Sequence, residues 1–192
     1  FTDGEGTIQS FTSGYFNSTT STDYIEQTDD GGFVFAAIAE TSNAVNDIVV
    51  TKVDAVGTLE WQYTLLDYGP QEYYEGFELD DQENIYIYSR TGNFISDHVR
   101  LTKLDIQGQL MYDQIYPPTT PDFRPEDMIL TSNGTLYAVG TRYSSINNAI
   151  DGNVFVEYDP ATGAILNFKE VDPPSDGFQF FITLAETPDG HL

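Results

Sequence analysis

Apolar residues along this chain come in short bursts, rich in β-branched and aromatic side chains, and clusters of Gly, Thr, Ser, Asn, Asp and Pro separate them. The punctuation recurs about every ten residues, and no helical periodicity runs through it, which predicts an all-β protein. Strands are expected at 23–28, 33–39, 48–53 and 58–65, again at 75–79, 84–89, 99–104 and 109–116, and again at 126–130, 135–140, 153–158 and 164–171. Two more, 7–12 and 179–186, flank this series.

Tight turns repeat with the strands. Asp54-Ala55-Val56-Gly57, Asp105-Ile106-Gln107-Gly108 and the longer Asp159-Pro160-Ala161-Thr162-Gly163 match Asp3-Gly4-Glu5-Gly6, so the glycines 6, 57, 108 and 163 are 51, 51 and 55 residues apart. A second turn type stands at 29–32, 80–83, 131–134 and 187–190. A period near fifty marks a repeat architecture. Ile48-Val49-Val50 and Val154-Phe155-Val156 are apolar on both faces, as in strands covered on both sides. Four antiparallel strands in a meander per repeat describe a propeller blade. The expected fold is a β-propeller of four-stranded antiparallel meander blades, with about 3.5 blades present. Residues 1–22 end a preceding blade, 23–72, 73–124 and 125–178 are blades, and 179–192 start a further one. Propellers hold about four to eight blades. Further blades of the same protein, or self-association, are therefore expected to cover the exposed blade faces.

Gln27-Thr28-Asp29-Asp30-Gly31-Gly32-Phe33-Val34, followed by Asp47-Ile48-Val49-Val50-Thr51-Lys52-Val53-Asp54-Ala55-Val56-Gly57-Thr58-Leu59-Glu60-Trp61, resembles a bacterial propeller repeat reading roughly "QT-DGGY-I" and "D--L-KLD--G---W". The likeness continues in Leu101-Thr102-Lys103-Leu104-Asp105. It departs in the third repeat, where Glu157 replaces the lysine and the turn gains a residue. Such repeats occur in secreted and cell-surface proteins, many from the Bacteroidota, so the resemblance implies an extracellular or cell-surface location. It says little of activity, because the repeat is a scaffold put to many uses. Signatures of the WD and Asp-box propellers are missing.

Composition narrows the partners. Hydrophobic residues make up 40% of the chain and aromatics 14%, enough for a packed core. Against 31 acidic side chains stand 7 basic ones, a formal charge of -24, which excludes nucleic acid and anionic membrane surfaces as natural partners. The acidity reads as solubility, or as adaptation to salt. No cysteine is present to form a disulfide, and no run approaches the roughly 20 apolar residues of a membrane helix, so no membrane insertion is expected. The first residue is Phe1 and no signal peptide is seen, so a mature or trimmed piece of a longer precursor is expected.

Candidate chemistry lies in the longer loops, which a meander places at the end of the blades opposite the tight turns. The binding set drawn from them and their edges is Tyr68, Tyr73, Arg90, His98, Tyr116, Phe123, Arg124, Arg142 and Tyr143, with Tyr15, Phe16 and Phe178 as further loop aromatics. Aromatics beside carboxylates suit a glycan or protein partner; the competing reading wedges them between blades as core. No cofactor is expected. Calcium is the one metal the acidic turns suggest, but Asp29-Asp30, Asp80-Asp81-x-Glu83 and Asp172…Asp176 lack the usual ligand spacing. Asp97-His98 has no accompanying nucleophile motif, and His191 is the only other histidine. Asn17-Ser18-Thr19 and Asn133-Gly134-Thr135 fit the N-glycosylation pattern, which in a bacterial protein reads as coincidence. Lys52 and Lys103, 51 apart, are expected at equivalent solvent-edge positions of third strands. The expected function is non-catalytic binding or structural support. The alternative is a propeller of an extracellular carbohydrate-active enzyme with its site among the long loops.

Overall fold

The computed structural model describes residues 19–40, 46–66, 71–93, 96–116, 122–143, 150–171 and 183–192. The chain divides into two compact units, Phe1–Asp67 and Tyr68–Leu192. Among the described residues every regular element is a strand. The first unit holds one antiparallel meander of β1 (Thr19–Gln27), β2 (Phe33–Glu40), β3 (Asn46–Val53) and β4 (Leu59–Leu65). The second holds two. One comprises β5 (Gln71–Leu79), β6 (Ile85–Asn93), β7 (Ser96–Leu104) and β8 (Leu110–Tyr116). The other comprises β9 (Asp122–Leu130), β10 (Leu136–Tyr143), β11 (Ile150–Tyr158) and β12 (Ile165–Val171). The expected strand 7–12 and the turn at 3–6 lie outside the described residues.

All three sheets share one register. Phe33 faces Val53, Ile85 faces Leu104 and Leu136 faces Tyr158 across the second and third strands. Third and fourth strands pair as Lys52–Trp61 and Val53–Leu59, Lys103–Tyr112 and Leu104–Leu110, Glu157–Asn167 and Tyr158–Ile165. Each fourth strand thus carries one extra residue (Glu60, Met111, Leu166), a bulge that bends it. First strands carry a bulge too: Glu75 stands between Tyr74 and Gly76, and Glu126 between Pro125 and Asp127.

The turns explain the common register. Thr28 N–H donates to the Gly32 carbonyl (3.0 Å) and Gly31 N–H to the Thr28 carbonyl (2.8 Å). The same two bonds close 80–84, 131–135 and 187–191, and also 54–58 and 105–109 in the other hairpin; 159–164 carries one residue more. The fourth turn residue is left-handed: φ is 81° at Gly31, 86° at Gly57, 76° at Gly108, 80° at Gly134 and 82° at Gly190. Gly57 and Gly108 hold the same turn position. At 83 the chain places glutamate there, with φ 59°, where a Cβ is crowded.

The first unit's sheet buries Val34, Ala36, Ala37, Ile48, Val49 and Val50, and the run 48–50 is covered on both faces as its composition predicts. In the second unit the two sheets pack through a core that includes Tyr86, Tyr88, Leu101, Met128, Leu136, Val154, Val156 and Tyr158. Tyr88 and Tyr158 meet edge to face, with hydroxyls 3.1 Å apart. First strands approach closely: a Cβ on Gly76 would lie 2.8 Å from the Met128 Cβ and 3.2 Å from its backbone nitrogen. The expected strand 179–186 differs. Its described residues, 183–186, belong to no sheet, for no described strand pairs with them. The segment is held instead by Leu184 N–H donating to Asp127 Oδ2 (2.7 Å) and by Glu186 accepting from Ser132 N–H (2.7 Å) and Oγ (2.9 Å).

The two lysines occupy equivalent positions but are buried, which corrects the solvent-edge expectation. Each ammonium reaches along its sheet to the carboxylate of the first turn. Lys52 Nζ lies 2.9 Å from Asp30 Oδ2 and 3.0 Å from Glu60 Oε2, and Lys103 Nζ lies 3.3 Å from Asp80 Oδ2. The Thr28 hydroxyl, Lys52 and the Gly32 N–H hold the Asp30 carboxyl far below the usual range. Burial works against the charge on Lys52, but Asp30 and Glu60 override it and raise its pKa.

A larger ion cluster crosses the second sheet. Arg100 Nη1 bonds Glu72 Oε1 (2.7 Å), its Nε and Nη2 fork onto the two Asp113 oxygens (2.8 Å each), and the Thr102 hydroxyl donates to Asp113 Oδ1 (2.9 Å). Breaking a buried pair strands a charge, typically at about 3–5 kcal/mol. Urea unfolding of Arg100→Met should therefore show a loss of that order, mostly recovered when Glu72 and Asp113 also become leucine. Glu83→Gly should gain about 1 kcal/mol in the same assay by relieving the left-handed glutamate; an unchanged midpoint would show that position 83 is unstrained.

Candidate functional site

Beyond the turns, at the opposite end of the second unit's sheets, first and second strands carry two cation–aromatic stacks. Tyr73 on β5 faces Arg90 on β6, and the guanidinium carbon lies 4.0 Å from the ring centroid. Arg90 Nε also bonds Glu75 Oε1 at 2.8 Å. In the third sheet Arg124 on β9 lies 4.5 Å over the Tyr143 ring, and the Thr141 hydroxyl donates to Glu126 Oε1 at 3.1 Å. Arg124 faces Thr141 as Tyr73 faces Arg90, so Glu75 and Glu126 are the same bulge residue in successive sheets.

These groups act on one another. Burial pushes the Glu75 carboxyl above its ordinary range; Arg90 pulls it down, the Glu126 charge pushes it up, and Arg124 pulls it down. The result is a partly buried patch of two carboxylates, two guanidinium groups and two tyrosine rings. It offers flat apolar faces and hydrogen-bonding groups of both kinds, a chemistry suited to a polyhydroxylated or mixed-charge ligand.

Of the residues proposed from sequence, Tyr73, Arg90, Arg124 and Tyr143 come together here. Phe123 and Tyr116 lie in or against the core between the sheets: the Phe123 ring is 5.7 Å from Phe168, and the Tyr116 ring is 5.5 Å from Tyr158 while its hydroxyl donates to the Gly163 carbonyl. Arg142 bonds Glu170 (2.8 Å) and its guanidinium crosses Gly152. His98 sits half-buried on β7, opposite Thr91. Tyr68, Tyr15, Phe16 and Phe178 lie outside the described residues. Sequence reasoning passed over Glu75 and Glu126, although 126 − 75 = 51 repeats the turn spacing.

A cleft of about 390 Å³ opens at the turn end of the second unit and is lined by Asp80, Gln82, Tyr86, Lys103, Thr131 and Pro160 among others. Lys103 Nζ donates to the Tyr86 hydroxyl (2.5 Å) and the Pro160 carbonyl (3.3 Å), and Tyr86 Oη donates to Asp80 Oδ2 (3.1 Å). Burial opposes the charge on Asp80, yet Asn84, the Gln82 N–H and Lys103 hold its carboxyl below the usual range. Burial and the Asp80 charge push the Tyr86 phenol well up, so it is no base at neutral pH. Lysine, tyrosine and carboxylate here satisfy one another, which suits a clamp between sheets better than a nucleophile.

Among the described residues no group of three or more His, Cys, Asp or Glu is placed to hold a metal ion. Comparison of the chain with protein-family models and with curated proteins finds no match.

The patch makes a titration testable. Because folding raises the Glu75 pKa, its linkage favours the folded state in acid, and that advantage is lost as pH rises through the folded value. Carboxyl NMR titration should place Glu75 above the ordinary glutamate range, with Glu126→Gln lowering the midpoint and Arg90→Gln raising it. An unmoved midpoint in both variants would dissolve the patch as an electrostatic unit.

Proposed function

We propose that this chain is a run of about three and a half blades of a β-propeller, part of a secreted or cell-surface bacterial protein, serving as a non-catalytic binding or structural scaffold. Residues 183–191 support it most directly. Leu184 stands three residues before its turn, as Met128 does, and meets Asp127 through its N–H where Met128 meets Gly76, the residue equivalent to Asp127. The following turn closes with the same two backbone bonds as the others. Residues 183–191 thus relate to β9 as β9 relates to β5, which is how the first strand of a next blade would sit. The far face of the third sheet carries the Tyr137 and Phe155 rings, 5.1 Å apart and partly exposed. A further blade of the same protein, or a second copy, is the natural cover.

The binding surface in this proposal is the patch of Tyr73, Arg90, Arg124 and Tyr143, facing a glycan or protein partner; neither cofactor nor nucleic acid enters it. The commitment of Arg90, Arg100, Lys103, Arg124 and Arg142 to intramolecular pairs and stacks favours a scaffold over a catalyst. The carbohydrate-active alternative draws on a single feature, the equivalent carboxylates Glu75 and Glu126, one with a raised pKa. Glycosidases use such unequal pairs.

A glycan array and a polysaccharide hydrolysis screen separate the two. Binding that falls at least tenfold in Tyr73→Ala and Tyr143→Ala, without turnover, is the expected result. Turnover abolished by Glu75→Gln would install the enzyme instead. Sedimentation of the 192-residue chain tests the incomplete ring. Self-association or uptake of a hydrophobic dye is expected, whereas a dye-free, cooperatively melting monomer would contradict it.

A further inference from the structure

Asn133-Gly134 is the one Asn-Gly step in the chain, and it sits at the tip of the 131–134 turn. Both residues are exposed, and a Cβ built on Gly134 would meet no atom within 4 Å. An asparagine amide is open to attack by the backbone nitrogen that follows it, and a glycine there leaves that nitrogen unhindered. The Asn133 Nδ2 group, which would leave, has no hydrogen bond among the described residues. The closed turn restrains the reaction. Gly134 N–H donates to the Thr131 carbonyl (2.8 Å), while Asn133 Oδ1 accepts from the Thr131 hydroxyl (2.7 Å) and the Thr135 N–H (3.1 Å). Attack on Cγ therefore waits for the turn to open, a local event that an exposed turn allows.

The equivalent turns show what the product would do. Asp30 and Asp189 stand at the same turn position and accept from Thr28 and Thr187 as Asn133 accepts from Thr131. Each has a basic group beside it: Lys52 Nζ lies 2.9 Å from Asp30, and His191 Nε2 lies 3.8 Å from Asp189. At 133 the place of Lys52 is taken by Glu157 and that of His191 by Thr135. The preceding residue, Ser132, holds the Glu186 carboxylate through its N–H and Oγ. A carboxylate made at 133 would thus join Glu157 and Glu186 where the equivalent aspartates join a base, and like charges so placed repel. We propose that Asn133 is a site of spontaneous deamidation, gated by the opening of its turn, and that the acid formed loosens the turn's hold on residues 183–191. The Gly134 nitrogen forms a bond to Asn133 Cγ and gives up its proton, the Cγ–Nδ2 bond breaks, and ammonia leaves. Water then opens the cyclic imide at either carbonyl, to aspartate or to isoaspartate, with no oxidant or further reagent. Aspartate repeats the bonds of Asp30 and Asp189, whereas isoaspartate lengthens the backbone by one carbon and breaks the register of the turn. The site stands apart from the Tyr73–Tyr143 patch and does not depend on the propeller reading.

The intact chain is aged in mildly alkaline buffer, with and without denaturing urea, and mapped by peptide mass spectrometry with enzymatic labelling of isoaspartate. Asn133 should convert first among the asparagines, and about tenfold or more faster in urea than in the folded protein. Amide exchange reads the consequence at Ser132 and Leu184, whose N–H groups hold the contact through Glu186 and Asp127. Both should exchange about threefold faster in Asn133→Asp, the size expected of one like charge about 6 Å away in water. Adding Glu157→Lys, which recreates the pairing of Asp30 with Lys52, should return them to the original rate. The same exchange measured on chains aged to deamidation covers a variant that fails to fold. Conversion at 133 no faster than at the other asparagines would overturn the site, and equal rates with and without urea would overturn the gate. Unchanged exchange at Ser132 and Leu184 in the deamidated protein would overturn the loosening.

Discussion

A hairpin closed by its own side chain fixes strand register locally, and the rest of this molecule depends on that. Asp54, Asp80 and Asp105 each accept, at Oδ1, the N–H groups two and four residues ahead, at 2.7–3.0 Å. In the turns that begin with threonine, the hydroxyl donates to Asp30, Asn133 or Asp189 two residues on. Each device satisfies backbone donors that a tight turn leaves without a ladder partner. Once register is set, so is the face each side chain occupies, since a one-residue slip would turn every core residue outward.

From register follows the contact between the second unit's sheets. Third and fourth strands of the third sheet are joined by a turn one residue longer than its counterparts, and that turn is gripped from the second sheet. The Pro160 carbonyl accepts from Tyr86, Tyr112 and Lys103, the Thr162 carbonyl from Gln114, and the Gly163 carbonyl from Tyr116. Phenols that bury a large apolar ring need an outlet for the hydroxyl, and the longer turn supplies carbonyls for it. In the third sheet Asn133 and Thr131 stand at the turn positions held by Asp30 and Asp80 in the earlier sheets, and Glu157 stands at the position of the lysines. The third sheet thus lacks the internal clamp and is fastened from outside.

The turns and strands were legible because residue type encodes them directly: Asp at the first position and Gly at the left-handed one leave a spaced signature. The lysines were misread because Thr51-Lys52-Val53 looks like a strand with one polar face, whereas a four-carbon stem carries its charge to the turn while remaining covered. The Arg90–Tyr73 and Arg124–Tyr143 stacks had only their residue types to announce them. Their assembly depends on bulges at Glu75 and Glu126 and on how two sheets meet, which no local pattern specifies. The spacing of those two glutamates was the one readable trace, hidden among 31 acids.

Cation placement reconciles the extreme charge with a folded chain. Of the seven basic residues, Lys52, Arg90, Arg100, Lys103 and Arg142 pair with carboxylates on their own sheets. Positive charge is thus concentrated where carboxylates crowd together, at the half-exposed turn residue Asp30, at the Glu75 bulge and in the buried Arg100 cluster, and in the last of these a lone negative charge would cost most. Carboxylates that face water repel one another only over about 10 Å at moderate salt. A surface so one-sided repels polyanions at any distance that screening allows. The Tyr73–Tyr143 patch is the exception, because its two guanidinium groups reach a partly exposed position beside aromatic faces. On the proposed binding role, a partner approaching it would meet locally balanced charge inside an acidic field, which favours neutral polyols or basic protein surfaces over acidic ones.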